Sequence, residues 1–209
     1  IIGYEAGRSI AAQSDAVLIG YRASKYHKYS AGNVAIGSEA LYQVPPGFYG
    51  SYYSVSIGKE AAYNGNNVKG VAIGYQALYS AYTNQANATD GTVAVGAESL
   101  KYMTTTAAVN NTGVGYYAGG GLTTGVSNTA IGSLSMGRSW NGVGGVANGT
   151  GGYNTAVGTG SMFYTTTSSY NTGIGVNVFS HPNFAPTIGY NIGIGYNAGS
   201  ALRTGNYNV

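Results

Sequence analysis

The chain has no cysteine, four prolines and few charges: nine Lys/Arg and six Asp/Glu among 209 residues. Without cysteine there is neither a disulfide frame nor a thiolate metal site. Four prolines rule out collagen, which also needs glycine at every third position. Nine scattered cations make no patch able to neutralise a phosphate backbone, so nucleic acid is not an expected partner. No apolar run approaches 18 residues, and no membrane insertion is expected of this segment. Charged residues make up 7%, against about 25% in ordinary globular chains. Intrinsic disorder pairs low hydrophobicity with high charge; here 44% of residues are hydrophobic and the net charge is +3.

What is present is glycine, 36 residues, and tyrosine, 21, set among Asn, Thr and Ser. Strong helix formers are scarce, and strands punctuated by turns are the natural expectation. A short motif recurs along the chain: Val34-Ala35-Ile36-Gly37, Val71-Ala72-Ile73-Gly74, Thr129-Ala130-Ile131-Gly132, Thr172-Gly173-Ile174-Gly175. Its last glycine serves as an anchor and falls at Gly3, Gly20, Gly37, Gly58, Gly74, Gly96, Gly115, Gly132, Gly158, Gly175 and Gly195. The spacings run from 16 to 26 residues. A coiled coil loses its seam under such insertions. Stacked β-coils release them as loops.

Position by position, the repeat predicts an orientation. Three before the anchor stands Val, Thr or Ile; one before it stands Ile or Val. These alternate and share one strand face, which is expected to be the interior. The small residue between them (Ala35, Ala72, Gly113, Ala156) is expected to meet a neighbouring chain closely. Three and four after the anchor, a small residue precedes a larger apolar one, as in Ala40-Leu41 and Ser161-Met162, which predicts a second inward strand. Asn recurs four before the anchor (Asn33, Asn111, Asn128, Asn154, Asn171, Asn191), where stacked amides can form a ladder. The fold expectation is all-β: a parallel β-roll or β-solenoid of about eleven short two-strand coils, residues 1–209 forming one repeat array. Each coil has little core, so oligomerisation around the axis is expected to supply burial. The pattern is under way at Ile1-Ile2-Gly3 and restarts at Asn208-Val209, so a longer fibre is expected.

The pattern Asn-(Thr/Val)-Ala-Ile-Gly-x-x-Ala resembles the repeats of bacteriophage, especially cyanophage, fibre proteins. It is also similar to the head repeats of trimeric autotransporter adhesins. The match is best at residues 33–41, 128–136, 154–162 and 191–198. The resemblance implies a homotrimeric fibre, extracellular and carried on a virion, that serves host attachment or acts as a spacer. The implied partners are itself, other fibre or virion proteins, and a host-surface glycan or protein receptor. A bacterial surface adhesin on the same coil is the alternative. Long, irregular repeats and abundant tyrosine favour the phage reading.

Enzymatic motifs are weak. Gly113-Val114-Gly115-Tyr116-Tyr117-Ala118 spells a dinucleotide fingerprint, but it is the repeat itself and no helical period follows. Glu5, Glu39, Glu60 and Glu98 share the column two after the anchor. A polysaccharide-cleaving tailspike would need a carboxylate pair there, one acid raised and one ionised. That column also holds Arg22 and Gln76, which reads more simply as a solvated face. His27 and His181 lie far apart, without the three or four converging ligands of a metal site. No catalytic residue, metal or cofactor is assigned. Aromatic side chains in the insertions, Phe48, Tyr49, Tyr52, Tyr53 and Trp140, are the candidate receptor or glycan contacts, because aromatic rings suit half-wet recognition surfaces.

Overall fold

Each β-branched triplet before an anchor glycine, from Gly20 to Gly195, forms a three-residue strand. In a computed structural model, which describes residues 1–10, 12–27, 29–42, 52–64, 69–79, 90–103, 108–137, 149–165, 167–180 and 187–209, these strands run from Val17–Ile19 to Ile192–Ile194. They pair in parallel as one ten-stranded sheet. Register is kept column to column: Val34 lies opposite Val55, and Ile36 opposite Ile57. Even the longest insertion leaves it unchanged, since Thr129 lies opposite Thr155. Before the first strand, Ile2 bridges to Ile19. The chain is an all-β parallel solenoid, and the described residues contain no helix.

The orientation of the strands reverses the expectation. The small central residue is the buried one: Ala35, Ala72, Ala94, Ala130 and Ala156 have no solvent exposure. Its β-branched neighbours point outward and are half-buried or exposed. The reason is thickness. A Cβ added to Gly113 would lie 2.6 Å from Ser99 Oγ, 2.8 Å from Leu100 Cγ and 2.9 Å from the Ala118 carbonyl oxygen. The close neighbour is therefore the far wall of the chain's own coil, not another chain. Size is traded across this gap: Gly193 faces Phe179, while Leu18 fills the space beside Gly7.

The expected second strand is also corrected. After the anchor the chain turns tightly, and both the third and fourth residues are buried (Ala40 and Leu41, Ala77 and Leu78); a strand would bury only one of two consecutive residues. The second and fourth positions take left-handed φ, 57° at Glu39 and 53° at Leu41. That conformation costs non-glycine residues roughly 1–2 kcal/mol each. It turns alternate amides to opposite neighbours: Glu39 N–H donates to the Tyr21 carbonyl at 2.8 Å, and Leu41 N–H to the Ala61 carbonyl at 2.9 Å. Where a second short strand exists, it precedes the triplet: Ala12–Ser14 pairs with Tyr29–Ala31, and Thr187–Gly189 with Thr204–Asn206.

The asparagine column forms a buried ladder. Each Oδ1 accepts twice from the next coil: Asn111 from Asn128 N and Nδ2 (2.9 and 3.1 Å), Asn128 from Asn154 (3.0 and 3.0 Å), Asn154 from Asn171 (3.0 and 3.1 Å). It continues through Asn191 to Asn208. Earlier in the chain the column changes to Ser54 and Thr92, and Ser54 N–H donates to Asn33 Oδ1 at 3.0 Å.

His27 is fully buried in this thin interior. Burial lowers its pKa from 6.5 to about 4, against a hydrogen bond to the Leu41 backbone. Above pH 6.5 the ring is neutral whether the chain is folded or not. Below that, the unfolded chain takes up a proton that the folded chain refuses down to about pH 4. This residue therefore lowers stability by about 3 kcal/mol as pH falls from 6.5 to 4. Urea titrations across that range are expected to show the loss, and His27→Met to remove that share of it.

Candidate binding surfaces

Three outward-facing features follow from this geometry. The first is the sheet. In the column just before the anchor all ten strands carry Ile or Val, from Ile19 to Ile194; three before it stand five Val, four Thr and Ile192. No charge interrupts the twenty positions. Exposure reaches 46% at Val17 and 69% at Ile194. At about 4.8 Å per strand, nine steps make an apolar face roughly 43 Å long.

The second lies on the turn wall, in the column two after the anchor. Glu5 receives Lys25 Nζ at 2.6 Å and Arg22 Nε at 3.1 Å, and pairs with Arg8. The bond from Lys25 leads the effects that hold the Glu5 carboxyl below its ordinary range, and Glu5 in turn raises Lys25. Arg22 reaches on to Glu39 at 3.6 Å, Gln76 Nε2 donates to Glu60 at 2.6 Å, and Lys101 lies 3.1 Å from Glu98. The expected carboxylate column is thus laced to cations and an amide. Beside it, Tyr42, Tyr63 and Tyr79 stack with centroids 4.9 and 5.0 Å apart; burial pushes the Tyr63 phenol up to about 12.

The third lies further along the same wall, where charge ends. The column reads Leu134, Gly160, Asn177 and Asn197. A cleft of about 560 Å³ opens beside Gly160, where Asn177 Oδ1 takes the space that a side chain on the glycine would need. Phe163 and Tyr164 line it, their rings 4.8 Å apart and nearly perpendicular at 77°. Asn177, Asn197, Thr159 and Ser200 supply amides and hydroxyls, and among the described residues no charged side chain lines it.

Of the aromatic contacts expected from the sequence, Phe48, Tyr49 and Trp140 lie outside the described residues. Tyr52 and Tyr53 are exposed, and Tyr53, in left-handed φ, lies over Gly32. A second tyrosine stack was not anticipated: Tyr153, Tyr170, Tyr190 and Tyr207, with centroids 4.7–5.1 Å apart and planes within 13°. Tyr153, Tyr170 and Tyr190 stand five before the anchors Gly158, Gly175 and Gly195, and each of the four tyrosines directly precedes an asparagine of the ladder. His27 is interior, and His181 lies outside the described residues. Among the described residues no group of three or more His, Cys, Asp or Glu could hold a metal ion. Thr165 is buried and donates to the Met162 carbonyl at 2.7 Å. No protein-family model, curated protein or solved structure matches the chain.

Proposed function

We propose that the chain is an eleven-coil segment of a homotrimeric phage fibre that serves host attachment. The observation that carries this reading is the outward sheet face: about 43 Å of Val, Ile and Thr at strand spacing, without one charge. Monomeric proteins rarely leave so long an apolar surface bare. The occupant that suits it best is another copy of the same face, because matched columns bring apolar groups against apolar groups along the whole length. Three such faces around an axis would bury the side chains that each thin coil leaves outside. The number three, the virion setting and the host-surface receptor come from the resemblance of the repeat to phage fibres. The role is structural and adhesive, at the outside of a virion, with other fibre proteins as further partners.

Sedimentation of the purified chain is expected to give three times 21.3 kDa. Ile73→Asp with Ile131→Asp places carboxylates in that contact, where desolvating an unpaired charge is costly. The double variant is expected to sediment as a monomer with an unchanged far-ultraviolet spectrum. A wild-type monomer at tens of micromolar would refute the trimer. Adhesion is tested separately, by binding of the labelled chain to intact cyanobacterial cells.

A further inference from the structure

The geometry points to the cleft beside Gly160 as a binding subsite for a neutral oligosaccharide, an inference that rests on the attachment reading and gives it a location. Its size falls within the roughly 300–1,000 Å³ usual for small-ligand sites. Its chemistry is divided as a sugar's is. A pyranose presents apolar C–H faces and a rim of hydroxyls. Phe163 and Tyr164 offer two aromatic surfaces nearly at right angles, suited to the C–H faces. Asn177 and Asn197 each carry a donor and an acceptor group, and the hydroxyls of Thr159 and Ser200 serve as either, which suits vicinal hydroxyls. The described residues of the lining are all uncharged, which disfavours phosphate, sulfate and acidic sugars, since these bring a charge that the lining does not answer.

The site is also specific to its place in the stack. In the column where Glu5, Arg22, Glu39, Glu60, Gln76 and Glu98 stand in other coils, Gly160 has no side chain, and Asn177 leans into that space. The cleft opens on the wall opposite the β-branched sheet face, because the buried third and fourth residues of each turn face the sheet's central column across the interior. Trimer formation through the sheet would leave it open.

The test uses the 209-residue chain and four probes: maltohexaose, cellohexaose, chitohexaose and, as an anionic control, heparin hexasaccharide. Binding is read by saturation-transfer NMR and calorimetry. At least one neutral probe is expected to bind, and heparin not. Gly160→Gln adds a side chain that the same column holds at Gln76, also in left-handed φ, and pushes the exposed Asn177 side chain aside into the cleft. It should keep the far-ultraviolet spectrum and weaken binding at least tenfold. Asn177→Ser, at an exposed position, should weaken it severalfold. If a neutral probe binds and neither variant weakens it, the subsite is overturned while attachment stands. If no neutral probe binds at millimolar concentration, the subsite is again overturned, and the cell-binding assay judges attachment on its own. Preference for heparin would overturn the charge argument.

Discussion

Gly74→Ala is expected to destabilise the chain by more than about 4 kcal/mol, into the range reserved for gross steric or backbone failure. Gly74 has φ +132°, and a Cβ there would lie 2.5 Å from the Gly96 carbonyl oxygen and 2.6 Å from its carbon. No side-chain rotation relieves a contact between a Cβ and a main chain. The coils must move apart, and the flanking bonds from Gly96 N–H to Ile73 (2.7 Å) and from Glu98 N–H to Tyr75 (2.8 Å) must stretch with them. Gly195 provides the internal comparison. Its φ is +120°, yet nothing lies within 4 Å of its added Cβ. Gly195→Ala should therefore show the backbone strain alone, about 1–3 kcal/mol. Denaturant midpoints of the two variants at equal protein concentration separate contact from conformation. Equal losses would mean that the close approach of coils contributes nothing.

Breaking the amide ladder at its middle is the second large effect. Asn154→Ala removes the acceptor that takes Asn171 N–H at 3.0 Å and Nδ2 at 3.1 Å, together with donations to Asn128 Oδ1 at 3.0 Å and the Ser168 carbonyl at 2.7 Å. The Asn171 main-chain N–H is left buried without that acceptor. At about 1–3 kcal/mol for each orphaned buried group, a total loss near 3–5 kcal/mol is expected. Asn154→Asp should be worse at neutral pH. It sets a carboxylate oxygen against Asn128 Oδ1 and the Ser168 carbonyl, and buries a charge as well. Thermal unfolding followed by circular dichroism checks the order. An aspartate variant as stable as wild type would contradict the ladder.

Much of this architecture was legible because it is periodic. The anchor glycines, the asparagine column and the inward Ala40-Leu41 type of pair all emerge by aligning the chain on itself. The solenoid follows from variable spacing. The sheet face was misread because β-branched residues ordinarily face a core; only the distance across the coil, as at Gly113, shows that this core admits nothing larger than alanine opposite a leucine. The turn after the anchor was misread because Glu39, Leu41 and Met162 give no warning of left-handed φ. Glycine at the same columns (Gly7, Gly119, Gly160, Gly199) was the available hint. The cleft lies beside Gly160, in a column otherwise charged or amide-bearing along most of the stack. The glycine in that column is plain in the sequence, but no sequence pattern sets Phe163 and Tyr164 beside it.

The strands lie across the stack while their hydrogen bonds run along it, and this has a mechanical consequence. Tension applied between the two ends of the chain meets the bonds between layers in series. Every layer carries the same force, and an end layer, held on one side only, gives way first, so a single stack yields by peeling, layer after layer, at a low and repeating force. Compression instead drives layers together that already touch, backbone on backbone, and meets a stiff column. A rod of this kind bears pushing well and pulling poorly unless parallel rods share the load.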